Sequence, residues 1–363
     1  MQQELTDPGR HVDLKPPVSS VGAIGWIKSN LFNSPFNSFL TIFILFCLYK
    51  SVPPFIRWAF FNSAWFTDGA QCKLAQGACW SVVTNNFRFI LLGFYPYDQQ
   101  WRPALSIVLL LAFLVYTSRR ENWNKRLILA WPIGLAVMGV IMHGGILGLS
   151  VVETTKWSGI CLTLLLSIFG LTAAYPLGVL LALGRQSKLP AIRTLSILYI
   201  ELIRGVPLIS LLFMASVMFP LFLPEGVTVD KILRAQVAII LFTAAYIAEV
   251  VRGGLQAIPR GQYEAAESLG LDYYLKMRLI ILPQALKIVI PPTVSILISA
   301  FKDTSLVVII GLFDLLKTTQ VTLSNPEWMG FSAEAYLFVA LLYFAGCFSM
   351  SNFSRRLERE LHS

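Results

Sequence analysis

Ionisable residues are sparse in this chain, and their spacing limits the chemistry they can do. Glu201 and Arg204 lie three residues apart, as do Glu249 and Arg252. On a helix that spacing puts each pair on one face, where carboxylate and guanidinium can satisfy one another. Lys302 and Asp303 stand side by side at the end of an apolar run. Charges among apolar residues are costly and so invite a functional reading. For the two Glu–Arg pairs a structural or gate-hinge role is favoured over contact with a substrate. For Lys302–Asp303 a structural ion pair and a place in a gate or substrate path both stay open. His143, followed by Gly144 and Gly145, is read as structural rather than as a proton or ligand site. No Gly-Lys-Ser or Gly-Lys-Thr occurs, so no Walker-type phosphate loop is available and the chain is not expected to hydrolyse ATP alone. No metal-ligand spacing is found, and no Ser/His/Asp arrangement can be argued. The chain reads as a non-enzyme.

Composition says which elements must position these charges. Of 363 residues, 56% are hydrophobic and only 13% charged. Soluble domains carry about a quarter charged residues and somewhat under half apolar ones. The formal net charge of +9 would suggest nucleic acid for a soluble domain. Here the basic residues sit at alternate ends of apolar runs, as the positive-inside bias predicts, so the expected surroundings are a lipid membrane and not nucleic acid. Met1–Asn30 lacks the basic start and apolar core of a cleavable signal. Residues 1–37 are expected to form a cytoplasmic tail.

A helix crosses the hydrocarbon core in roughly twenty apolar residues. Such runs cover, approximately, Ser38–Phe61, Pro103–Thr117, Leu127–Leu149, Trp157–Gly184, Leu195–Leu223, Ala235–Val251, Ala285–Phe301 and Ala335–Phe353. The first is interrupted by Lys50, Pro53, Pro54 and Arg57, so a shorter helix followed by an interfacial turn is the alternative there. The seventh meets Lys302–Asp303 before a further apolar stretch, Thr304–Leu316. Basic clusters follow the second, fourth, sixth and last runs, all on one side, which places both termini in the cytoplasm. The expected fold class is an all-α polytopic membrane protein of about eight transmembrane helices. A β-barrel is excluded, because its strands are about ten residues long and alternate in polarity.

Residues 62–102 are polar and aromatic-rich, and are expected to form an extracytoplasmic insertion. Cys72 and Cys79 would then face an oxidising compartment. Their separation can close a small loop, so a disulfide is favoured over two unpaired thiols. Cys47, Cys161 and Cys347 fall in apolar runs and pack as small apolar groups.

The stretch between the sixth and seventh spans, residues 253–284, is the most informative. It contains Gly261-Gln262-Tyr263-Glu264-Ala265-Ala266-Glu267-Ser268-Leu269-Gly270 and closes with Ile280-Ile281-Leu282-Pro283. A short helix lies between two glycines, with Ala265 and Ala266 small enough for close approach by another protein. Gly270 permits the left-handed turn that ends such a helix. Pro283 suits the first turn of the next. A short protruding helix between two spans is what mechanical coupling to a cytosolic partner requires.

The order Glu-Ala-Ala, three residues, Gly, nine residues, Ile-x-Leu-Pro, here Glu264 to Pro283, resembles the signature loop of bacterial ABC importer permeases. Three further segments are similar to the polar amino-acid permeases. They are Tyr199-Ile200-Glu201-Leu202-Ile203-Arg204-Gly205-Val206-Pro207, Ala245-Tyr246-Ile247-Ala248-Glu249-Val250-Val251-Arg252-Gly253-Gly254, and Phe301-Lys302-Asp303-Thr304-Ser305-Leu306. The longer chain, with its insertion, resembles the membrane subunits of general L-amino-acid importers. The resemblance implies a type I importer permease core over residues 157–363, preceded by three additional helices over 38–156.

By resemblance, Glu264, Ala265, Ala266, Ser268, Leu269, Gly270 and Pro283 would form the contact with a dimeric cytosolic ATPase, which would bind the ATP and Mg; this chain itself would need no cofactor. Glu264 would reach a cation on that partner or cap its own helix. A second, related permease subunit and a periplasmic binding protein delivering L-amino acids are also implied. In the family the amino-acid pocket lies near mid-membrane on the seventh span. Members taking cationic substrates often have Asn then Glu at the positions of Ser295 and Ile296, and this chain has neither. That leaves a pocket for neutral or varied amino acids, or a degenerate pocket beside a binding-competent partner. Thr293, Ser295, Ser299 and Asp303 are the pocket candidates. The competing reading is a secondary transporter driven by an ion gradient, which predicts internal repeats and interrupted half-helices; no clear repeat is found. The expected location is the bacterial inner membrane.

Overall fold

The structure, a computed structural model, describes residues 22–146 and 148–362. Among them the regular elements are all helical, and the strand-like features are isolated bridges pairing Ala64 with Cys79 and Gly159 with Asp314. The chain divides into one unit of residues 1–64 and 73–79, and another of residues 65–72 and 80–363.

The first unit carries α1 (Gly22–Asn30), inside the expected tail, and α2 (Pro35–Ile56). Residues 1–21 of that tail lie outside the described residues. Ser34 starts α2 by accepting the Asn37 N–H at 3.2 Å, and Pro35 takes the first position, where a missing N–H is no loss. Pro53 and Pro54 lie within the helix, yet their carbonyls accept the Arg57 N–H. A wider π-turn, Arg57–Phe61, then absorbs the distortion. The helix therefore runs to Phe61 and does not stop at the prolines. None of α2 is buried, as suits an apolar helix whose solvent is lipid.

The second unit begins with α3 (Gly69–Cys72), α4 (Ser81–Leu92), α5 (Trp101–Thr117), α6 (Arg126–His143), α7 (Gly159–Arg185), α8 (Pro190–Arg204) and α9 (Leu208–Phe213). It continues with α10 (Lys231–Ala257), α11 (Arg260–Ser268), α12 (Tyr273–Lys276), α13 (Leu282–Ile288), α14 (Ile290–Asp303), α15 (Leu315–Leu323) and α16 (Ser332–His362).

Among the described residues six segments are long and apolar enough to cross a membrane: Pro35–Phe61, Tyr97–Thr117, Gly159–Arg185, Lys231–Ala257, Ile290–Ile310 and Ser332–Glu360. A bent pair, Pro190–Arg204 with Leu208–Phe222, stands at the fifth expected span, and the shorter Leu129–His143 at the third. Two expectations need correction. The fifth span is not one helix, because its halves meet at 103°. Pro207 has no N–H to donate and disfavours helical backbone at Val206, and α8 ends three residues before it, at Arg204. The seventh span does not stop at Lys302–Asp303: α13 ends before it, and Ile290–Ile310 carries the charged pair inside it.

The centre of this unit is the crossing of α7 and α10. Gly170, Ala174, Gly178 and Ala182 recur every fourth residue of α7, and all are buried. A Cβ at Gly178 would stand 2.6 Å from Ile247 Cγ2 and 2.9 Å from the Ala244 carbonyl oxygen. Small residues at this spacing let two helix backbones approach and pack, the main source of helix association where lipid removes the hydrophobic drive. On the α10 side Ala244, Ile247, Ala248 and Val251 are fully buried.

Part of the expected insertion is helical and braced. The Thr318 hydroxyl of α15 donates to the Ile90 carbonyl of α4 at 2.7 Å, and Ser158 Oγ accepts the Phe94 N–H at 2.8 Å. Gly93, at φ +56°, makes the turn between them. Cys72 and Cys79 are disulfide-bonded, whereas Cys47, Cys161 and Cys347 are free thiols.

Candidate functional site

Three sites follow one another along α10 and its neighbours: a protruding helix, an ionic cluster and a cavity. The protruding helix is α11. Its C-terminus is closed by a Schellman turn, in which the Gly270 N–H reaches the Glu267 carbonyl at 2.9 Å and the Leu271 N–H the Ala266 carbonyl at 3.2 Å. Gly270 adopts φ +71°, a conformation strained for any residue with a Cβ. Asp272 then caps α12 by accepting the Leu275 N–H at 2.7 Å. Lys276 reaches back to Glu267 and, chiefly by that hydrogen bond, holds the Glu267 carboxyl below its usual range.

Glu264, Ala265, Ser268, Leu269, Gly270 and Pro283 are exposed. Ala266 is not: its Cβ faces inward and it is fully buried. The expectation that both alanines are open to a partner fails at Ala266, whereas Ala265 is exposed, since neighbours on a helix point about 100° apart. Glu264 is likewise no helix cap. It sits a full turn inside α11, which starts after Pro259, and its carbonyl accepts from Ser268 Oγ at 3.0 Å. Tyr273 and Tyr274 extend the exposed face beside Leu269. The aromatic pair was not singled out in the sequence, although its place one turn past Gly270 was a legible signal.

This helix is tied to the membrane-spanning elements. Tyr263 Oη donates to the Leu255 carbonyl of α10 at 3.1 Å, and Gln284 Nε2 to Gln262 Oε1 at 3.0 Å. Burial pushes the Tyr263 phenol up, so it stays a donor. Leu255, Ile258, Met277 and Ile281 make the apolar floor beneath.

The ionic cluster joins α7, α8 and α10. The Glu249 carboxylate accepts from Arg252 Nε at 3.1 Å and lies 3.3 Å from Arg185 Nη1 and 3.4 Å from Arg204 Nη1. Glu201 pairs with Arg185 at 2.9 Å. The expected pairing within Glu249–Arg252 forms. That within Glu201–Arg204 does not, because neighbouring helices offer each side chain a better-placed partner. Arg185 was visible in the sequence only as one of the basic residues closing the fourth span.

The cavity, of about 330 Å³, is lined by Leu208, Ile239, Phe242, Thr243, Tyr246, Ser295, Ile296, Ser299, Ala300 and Asp303. Ser295, Ser299 and Asp303 meet here because four-residue spacing stacks them on one face of α14. Thr293 lies off that face. It is buried elsewhere, its hydroxyl without a hydrogen-bond partner among the described residues. Asp303 is half-buried, and no described residue gives its carboxylate a hydrogen bond or ion pair. Lys302 is exposed, and among the described residues no ion pair joins it to Asp303, so of the two readings left open the structural ion pair is not formed. A polar and acidic floor under aromatic walls can receive a small cationic or zwitterionic group.

Residues 174–363 match the family described as binding-protein-dependent transport system inner membrane component. The inner membrane amino-acid ABC transporter permease protein YhdY of Escherichia coli (strain K12) is 47% identical over 348 residues, covering 95% of each chain. The glutamate/glutamine/aspartate/asparagine transport system permease protein BztC of Rhodobacter capsulatus is 40% identical over 415 aligned positions, again covering 95% of each. Among solved structures, the crystal structure of an amino acid ABC transporter with histidines overlays with a TM-score of 0.50 at 30% identity, covering 56% of this chain and 92% of that one. With the exposed motif helix, the α7–α10 crossing and this similarity along nearly the whole chain, the protein belongs to the inner-membrane components of binding-protein-dependent transport systems, as an amino-acid ABC transporter permease.

Proposed function

We propose that the chain forms one half of the translocation path of an L-amino-acid importer in the bacterial inner membrane, with both termini in the cytoplasm. A second, related permease supplies the other half, and a periplasmic binding protein delivers the substrate. A dimeric cytosolic ATPase, which holds ATP and Mg, drives the cycle through the loop from Glu264 to Pro283. The observation that carries this reading is α11: an exposed motif helix, closed by a rigid turn and hydrogen-bonded to a membrane-spanning helix. Glu264, Ala265, Ser268, Leu269 and Gly270 supply its partner-facing surface, while Pro283 starts the helix that returns to the membrane.

The Asp303 cavity is the place for the amino acid. Its carboxylate, without a hydrogen bond or ion pair among the described residues, suits an α-ammonium group, and Ser295 and Ser299 offer hydroxyls to a carboxylate or a polar side chain. The named substrates of the Rhodobacter relative make polar amino acids the first candidates.

The test is purification of the tagged chain from native membranes, followed by uptake assays in proteoliposomes. The expected result is co-purification of a second permease and an ATPase, with uptake that requires ATP. Glu264→Lys and Gly270→Asp are expected to keep assembly and lose coupled uptake. A lone chain that accumulates amino acids in ATP-free vesicles on an ion gradient would overturn the reading in favour of a secondary transporter.

A further inference from the structure

Arg204 stands where the coupling helix, the ionic cluster and the cavity come together. It is the last residue of α8, directly before the 103° bend. Its Nη1 lies 3.4 Å from Glu249, and its guanidinium carbon lies 5.7 Å from the centre of the Tyr246 ring. Tyr246 and Glu249 are three residues apart on α10, so one side chain engages both on a single helix face. Tyr246 is a wall of the Asp303 cavity, and so is Leu208, the first helical residue beyond the bend.

The other end of the same path leads to α11. Glu249 is held by Arg252, and Leu255, less than one turn further on, accepts from Tyr263 of α11. α10 runs as one unbroken helix through all of these positions. A displacement of α11 is therefore delivered along a rigid rod to Glu249. Arg204 can then follow Glu249 and carry the end of α8 with it, or release Glu249 and leave Tyr246. The side chains of Glu249 and Arg204 are 23% and 33% exposed, so solvent screens their attraction less than that of a surface pair.

We infer that Arg204 is a positioning residue for transport, which links the coupling helix to the wall of the substrate cavity through Glu249 on one side and Tyr246 on the other. It need not touch the substrate. The planar guanidinium is suited to the task because it can stack on a ring and bind a carboxylate at once, which an ammonium does less well. The inference rests on the ATP-driven reading given above.

The experiment measures ATPase activity of the whole complex in proteoliposomes, with and without substrate-loaded binding protein. In Arg204→Met the ratio of stimulated to basal activity is expected to fall about 5-fold or more, within the range of allosteric coupling. The half-saturating concentration of binding protein should stay unchanged. Arg204→Lys is expected to fall between the two, a graded rescue that a merely structural role would not show. Arg193→Met, on the same helix but exposed, should keep the wild-type ratio. If Arg204→Met does not assemble, Arg204→Lys carries the test. A wild-type ratio in the Arg204 variants overturns the inference, as does a fall of basal and stimulated activity together with the ratio preserved. A wild-type complex with no stimulation at all would instead overturn the ATP-driven reading itself.

Discussion

Tyr263 of the protruding helix donates its phenol proton to the Leu255 carbonyl at 3.1 Å, near the end of a 27-residue membrane-spanning helix. Together with the short connection through Ile258 and Pro259, that bond fastens the element bearing Glu264 to the element bearing Tyr246, Glu249 and Arg252. Tyr263→Phe removes the bond and keeps the packing. A net loss of about 1 kcal/mol is expected, together with weaker ATP-dependent uptake. Thermal unfolding and uptake of the purified complex check both.

The cavity gives a contrast between neighbours on one helix. Asp303→Asn removes the half-buried carboxylate without changing its size, and should lower uptake by about tenfold or more if that carboxylate holds an ammonium group. Thr293→Val, ten residues earlier and off the cavity face, should leave uptake unchanged. Its hydroxyl has no partner among the described residues, so replacing it by a methyl of similar shape is close to neutral or mildly stabilising. Initial uptake rates at saturating binding protein separate the two.

The α7–α10 crossing depends on the absence of side chains. Gly178→Leu would press a branched chain against Ile247 and the Ala244 carbonyl. Overpacking of this kind costs typically 1–3 kcal/mol or more, and here the rigid contact is backbone. Reduced yield and a lower thermal midpoint of the complex are expected. Gly139→Leu, where a Cβ would meet nothing within 4 Å, should be tolerated, and measuring both in parallel makes the comparison.

Acid should loosen the tip of the protruding helix. The Glu267 carboxyl is held below its usual range by Lys276. A carboxylate with a lowered folded value contributes order above its unfolded value, near pH 4.3, and loses it as pH falls through the folded one. The protection factors of amides 267–276, taken against the slower intrinsic exchange at low pH, should therefore fall on acidification in wild type. Glu267→Gln should show low protection factors already at neutral pH and little further change. Because Glu267 is exposed, the effect is expected to be local.

How much of this was legible in the sequence depends on the range of the force concerned. Apolar run lengths located the spans, because each helix answers separately to the thickness of the bilayer. The motif helix with its Gly270 turn was readable, because a Schellman cap is made by residues adjacent in the chain. Of the four pocket candidates named by resemblance, Ser295, Ser299 and Asp303 share one helical face and line the cavity, whereas Thr293 does not.

What the tertiary structure decided is who faces whom. Arg204 turned from its sequence neighbour Glu201 to Glu249, and Glu201 to Arg185, because charges on three packed helices choose partners by distance in space. Lys302 and Asp303 form no ion pair among the described residues, because adjacent helical residues point in different directions. Ala266 turned inward while Ala265 stayed exposed, a difference fixed by the side on which α11 meets its own chain. The bend after Arg204 needed more than Pro207, since Pro53 and Pro54 sit inside a helix that continues. Proline removes a hydrogen bond in both places. Whether the helix then breaks is decided by whether packing around it offers the freed ends a better arrangement.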